Sequence, residues 1–151
     1  MSGHLHHTGL TVKDLDRSIA FYGDLLGFEV TALGEREGGY FGAVVGYPDV
    51  KVRLAYVAPP GSAHKLELFQ YVSPPSRGEG GEPRDVGMTH VCLIVEDLPG
   101  IYERLRAAGV EFFSEPVYID HGVNEGGWAV YLRDPDGIIL ELFQPPTHGS
   151  I

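Results

Sequence analysis

Two carboxylates in this chain each sit between two leucines, in a run that occurs twice: Leu66-Glu67-Leu68-Phe69-Gln70 and Leu140-Glu141-Leu142-Phe143-Gln144. On a strand, Leu66 and Leu68 point to one face of a sheet while Glu67 and Phe69 point to the other, and the second copy divides in the same way. One such glutamate alone reads as a solvated sheet face. Two in equivalent places point to a shared task, because a carboxylate on an inner face is costly unless it is paired or holds a metal. Two histidines repeat as well. His7 lies in an expected strand His4–Val12, on the face of Leu5, Gly9 and Thr11, and His90 follows at an offset of 83. If the two faces meet, His7, Glu67, His90 and Glu141 form a mixed nitrogen and oxygen set. Such a set suits Zn, Ni, Co, Mn or Fe(II) rather than a thiolate site.

Composition narrows the remaining chemistry. The net charge of −10, from 11 basic and 21 acidic residues, disfavours nucleic acid, whose backbone is read by clustered Lys and Arg. No apolar run approaches the ~20 residues of a membrane span, and no signal peptide is expected at the N-terminus. The lone Cys92 rules out an intrachain disulfide and fits a reducing cytoplasm. The 21 Gly and 11 Pro indicate many turns. No GxSxG, P-loop or CxxC pattern supports serine hydrolase, nucleotide hydrolase or dithiol chemistry.

The elements that must position the four residues repeat with them. After the first strand, Asp14 supplies a helix N-cap, and Leu15, Ile19, Tyr22 and Leu26 follow at helical spacing up to Gly27. Strands are expected over Phe28–Leu33, Val50–Val57 and Lys65–Val72. The glycine-rich stretch from Glu35 to Tyr47 is open to a short helix, a strand or a loop. Residues 74–85 read as a linker between a first module at 1–73 and a second at 86–146, with a tail at 147–151. In the second module, Met88–Val95 reads as a strand and Asp97 as a cap. Leu98, Tyr102 and Leu105 form a helical stripe ending at Gly109, and Val110–Phe113 a short strand. Ser114–Gly127 reads as a loop. Trp128–Arg133 and Ile138–Phe143 form a hairpin across Asp134-Pro135-Asp136-Gly137. The fold class is α+β, with two tandem βαβββ modules.

These stretches resemble the vicinal oxygen chelate superfamily, which includes glyoxalase I, methylmalonyl-CoA epimerase, extradiol dioxygenases and bleomycin- and fosfomycin-resistance proteins. The likeness is carried by His7-Thr8-Gly9-Leu10-Thr11-Val12 with Asp14-Leu15-Asp16-Arg17-Ser18 and Phe21-Tyr22, then by Leu25-Leu26-Gly27-Phe28 and Leu66-Glu67-Leu68. It continues through His90-Val91-Cys92-Leu93-Ile94-Val95 and Asp134-Pro135-Asp136-Gly137 to Leu140-Glu141-Leu142. The resemblance implies curved mixed sheets around a metal-binding cavity, one divalent ion on His7, Glu67, His90 and Glu141, and a homodimer. The glyoxalase I branch carries His/Glu/His/Glu, as here, while the epimerase branch commonly has Gln at the place of Glu67.

Glyoxalase-like lyase or isomerase chemistry on a small oxygenated molecule therefore ranks first. The metal would stabilise an enolate or enediolate, and Glu141 would be the base, with Glu67 as the alternate. An Fe(II) extradiol-type dioxygenase and a non-catalytic protein that binds a small molecule such as an antibiotic are the alternatives. Small bacterial glyoxalase I enzymes tend to place Arg and Asn, which serve glutathione, where this chain has Thr11 and Tyr71. Alternation instead offers Phe69, Tyr71, Cys92, Trp128 and Phe143 as cavity-lining residues for a less charged substrate. Arg53 and Arg133 are open to a substrate anion or to solvent. Among the other histidines, His6 is a rival to His7 by adjacency but falls on the helix side. His4, His64, His121 and His148 read as surface residues.

Overall fold

The computed structural model describes residues 5–78 and 80–146. His4, His148 and the tail at 147–151 lie outside the described residues. The chain divides into two compact units, Met1–Gly78 and Glu79–Ile151, each with a four-stranded mixed sheet.

Unit 1 contains β1 (His7–Thr11), α1 (Leu15–Ala20), β2 (Glu29–Glu37), α2 (Gly39–Val45), β3 (Lys51–Ala58) and β4 (Lys65–Ser73). The sheet order is β1-β4-β3-β2, with β1 parallel to β4 and the other pairs antiparallel. Asp14 caps α1 by accepting from the backbone of Asp16 and Arg17. The helix then widens into a π-helical turn over Phe21–Leu25, and the extra residue lets two adjacent aromatics, Phe21 and Tyr22, both turn inward. The expected stripe shifts accordingly. Leu15, Ser18, Phe21 and Tyr22 are buried, while Ile19 and Leu26 are half-buried. On the sheet, Leu10, Ala55, Val57, Leu66 and Leu68 form the face that α1 covers.

The stretch left open by the sequence resolves into the end of β2 and the helix α2. Gly38 precedes α2, and Gly46 ends it in the left-handed conformation, at φ 75°. Phe41 and Val45 pack on Val50, Val52, Phe69 and Tyr71, which places α2 on the sheet face opposite α1. Gly42 permits this seat, since a Cβ there would stand 2.8 Å from the carbonyl oxygens of Tyr47 and Pro48.

Unit 2 contains β5 (His90–Ile94), α3 (Leu98–Ala107), β6 (Val117–Tyr118), β7 (Trp128–Arg133) and β8 (Ile139–Gln144). The order β5-β8-β7-β6 repeats the topology of unit 1. Two expectations need correction here. Val110–Phe113 forms no regular strand; it meets β7 through one bridge, Phe112 to Leu132, and two flanking backbone bonds. The fourth strand is the two-residue β6, inside the stretch read as loop, beyond Pro116, which cannot donate to a ladder. The hairpin turn forms as its composition directs: buried Asp134 accepts from the backbone of Asp136 and Ile138.

The repeated glutamine has a role in both units. Gln70 and Gln144 lie on the leucine face, where their Oε1 atoms accept from the backbone N–H of Leu15 at 3.1 Å and Leu98 at 2.8 Å. Each closing strand thus holds the first turn of its own helix, satisfying one of the N–H groups that a helix start leaves unpaired.

Candidate functional site

In unit 1, β1 and β4 pair so that Gly9 stands beside Glu67, and β3 brings Tyr56 to the other side of Glu67. His7, two residues before Gly9, shares that face, and its Nε2 lies 3.0 Å from Glu67 Oε2. In unit 2 the register places Cys92 and Tyr131 on either side of Glu141. His90 Nε2 lies 3.0 Å from Glu141 Oε2. The same pair is thus built twice by the same pairing. Among the described residues, no three or more His, Cys, Asp or Glu gather as a metal-holding cluster; each unit holds one His–Glu pair.

Each pair is a direct His–carboxylate contact whose two atoms would also fit neighbouring positions on a divalent ion. Two ligands each about 2.1 Å from one ion and at right angles to each other stand about 3.0 Å apart, which is the separation found in both units. The nitrogen that faces the carboxylate is Nε2 in each case. On the other side of the ring, His7 Nδ1 lies 2.8 Å from His6 Nδ1, so His6 supports the orientation of His7 without replacing it. Tyr131 stands over the imidazole of His90, with ring centroids 4.9 Å apart.

Neighbouring groups distinguish the two carboxylates. Burial and a hydrogen bond donated to Glu67 push the Tyr56 hydroxyl up to about 12, so Tyr56 keeps its proton and holds Glu67 in place. Although Cys92 is exposed, partial burial of its thiol, the charge of Glu141 and a hydrogen bond donated to Glu141 push it up to about 11. Tyr131 is raised by burial and then by Glu141. The Glu67 side chain is 11% exposed and that of Glu141 20%.

The expected lining residues divide. Cys92 and Phe143 share the face of Glu141, with Phe143 buried. Phe69 and Tyr71 share the face of Glu67, where Phe69 stacks on Phe41 of α2 at 5.5 Å. Trp128 does not join them. It pairs with Gln144, which places it on the leucine face of the second sheet, edge-on to Tyr118. Arg53 is held by Asp16 and Gln70. Arg133 is held by Glu82, Glu111 and the carbonyls of Gly81 and Gly137. Both arginines therefore hold the protein itself. His64 is half-buried, with Nε2 2.9 Å from Thr8 Oγ1, and exposed His121 pairs with Asp120. Tyr56 and Tyr131 escaped the sequence reading. Their signal was the hairpin register, which sets each beside its glutamate.

A family model described as the glyoxalase/bleomycin resistance protein/dioxygenase superfamily matches residues 4–142. A 2-epi-5-epi-valiolone epimerase from an Actinomyces species is 30% identical over 95% of this chain and 80% of its own. A lactoylglutathione lyase from Pseudomonas aeruginosa is 31% identical over 97% and 85%. A glyoxalase family protein from Bacillus cereus shares the fold with a TM-score of 0.83 at 24% identity, covering 94% of this chain and 93% of its own.

Proposed function

The chain belongs to the glyoxalase/bleomycin resistance protein/dioxygenase superfamily, and from that premise we propose that it is a divalent-metal-dependent lyase or isomerase. It acts on a small oxygenated molecule by proton transfer between carbons. One observation carries the reading: a His–Glu pair with the same 3.0 Å separation at the same place in both units. In this proposal His7, Glu67, His90 and Glu141 together hold one ion, within one chain or across a homodimer in the cytoplasm. The similarity to proteins named as an epimerase and as a lyase supports proton transfer as the shared chemistry.

When bound, the ion supplies Lewis acidity, which makes a C–H bond beside a carbonyl or hydroxyl carbon easier to break. Glu67, fixed by Tyr56, serves as a holding ligand. Glu141 is the more exposed of the two, which suits it to be the base that removes and returns the proton. His6 keeps the His7 ring oriented.

The test is deuterium uptake from D2O into the carbon-bound positions of acetoin and of the methylglyoxal–glutathione hemithioacetal, read by NMR. Protein loaded with Ni, Zn, Co or Mn is expected to exchange, chelated protein and Glu141→Gln to lose the exchange. Oxygen uptake with catechol and Fe(II), without exchange, would turn the reading to a dioxygenase. Ligand binding indifferent to chelation, with neither activity, would leave a binding protein.

A further inference from the structure

A cation stands beside the His7–Glu67 pair. Lys65 pairs in register with His7 across β1 and β4, and alternation puts its side chain on the face of Glu67, two residues further on. The turn before it is pinned: Ser62 Oγ donates to the His64 carbonyl, and His64 Nε2 lies 2.9 Å from Thr8 Oγ1. The half-buried lysine side chain runs to Tyr56, where Nζ stands over the ring, 5.9 Å from its centroid. The His7 imidazole meets the same ring edge-on at 5.8 Å, and the Tyr56 hydroxyl donates to Glu67. An ammonium is thus one phenol ring away from the proposed donors.

Duplication shows what the pair itself requires. In unit 2, Ile139 pairs in register with His90 as Lys65 does with His7, and it is 1% exposed. The His–Glu separation is 3.0 Å in both units, and a tyrosine flanks the glutamate in both. An apolar residue therefore builds the pair as well as a lysine does, so the ammonium serves something other than its formation. At this range a cation–π contact is weak, and the flexible lysine stem gives it up readily for an anion. The ammonium meets a carboxylate or a phosphate as a point charge with three donors.

We propose that Lys65 is a specificity-determining residue, which leaves the Tyr56 ring to bind one anionic group of the substrate, a carboxylate or a phosphate. The inference rests on the function above for the statement that the reacting oxygens are held at His7 and Glu67. Lys65 stands directly across from His7, so the anion lies within a few bonds of those oxygens. The substrate class is then a short oxo or hydroxy compound that carries one anion near its reacting end.

The test is calorimetric titration of the full-length protein loaded with Ni, Zn, Co or Mn. Two matched pairs serve as probes: acetoacetate with acetoacetamide, and dihydroxyacetone phosphate with dihydroxyacetone. Wild type is expected to prefer at least one anion to its neutral partner. That preference should fall about tenfold or more in Lys65→Gln, as for loss of a charge-assisted hydrogen bond. Lys65→Arg, which keeps the charge, should retain most of it, as should Lys51→Gln, whose lysine pairs with Glu37. The anion that depends on Lys65 identifies carboxylate or phosphate as the group read. No preference in wild type, binding of none at millimolar concentration, or a preference unchanged in Lys65→Gln would each overturn the inference. So would a variant that loses both members of a pair equally, since Lys65 would then only support the site. Metal content measured on the same samples separates the two failures. Protein that takes up none of these ions overturns the function above and this inference with it, whereas metal-loaded protein without a Lys65-dependent preference overturns the inference alone.

Discussion

Each glutamate of the proposed centre faces one histidine, and the proton-bearing neighbours differ: Tyr56 for Glu67, Cys92 and Tyr131 for Glu141. A phenol donates to Glu67, whereas a thiol donates to Glu141. That difference in neighbours is one that identical repeats would not provide. It also has a pH signature. The folded-state value of Tyr56, about 12, lies above its ordinary value of 10.0, so the folded protein keeps this proton after the unfolded chain has released it. The associated stability is fully present below about pH 10 and is lost as the pH rises through about 12. Urea unfolding of the chelated protein across this range should show an alkaline loss of stability that is smaller in Tyr56→Phe. An identical loss in the variant would remove Tyr56 from that role.

At the scale of elements, the repeated run has a separable physical logic. Its leucines enter the core beneath the helix, its glutamate faces the opposite side, and its glutamine returns to the helix side to hold the first turn. Loss of one such bond should cost about 1 kcal/mol. Thermal unfolding of Gln144→Ala should therefore show a modest destabilisation, whereas unchanged stability would mean that water replaces the bond without loss. The alternation of Leu and Glu was legible in the sequence because period and burial agree there. The role of Gln70 and Gln144 was not, since it depends on a helix start distant in sequence. Trp128 was misplaced for a related reason. Alternation assigns faces only relative to a reference, and the register of Trp128 with Gln144 sets that reference. Tyr131 could have been found by counting back from the Asp134–Gly137 turn.

For the whole molecule, duplication made the fold readable: two sheets of the same order arise from two copies of one pattern. What the copies do not share was harder to read. The helix α2 has no amphipathic repeat long enough to announce it, and it depends on Gly38, Gly42 and Gly46 in a stretch equally suited to a loop. Arg133 looked available for a substrate because its partners in the 80–82 stretch, Gly81 and Glu82, are brought to it only by folding. In the proposed function the two His–Glu pairs serve one ion. The most direct test is metal content by elemental mass spectrometry, on protein purified without chelator or nickel affinity. Wild type would be compared with His7→Ala/Glu67→Ala and with His90→Ala/Glu141→Ala. About one divalent ion per chain is expected in wild type and loss of it in either double variant, because a single pair leaves too few protein ligands. Wild type that takes up no ion on titration, or variants that each keep half of the wild-type content, would contradict it.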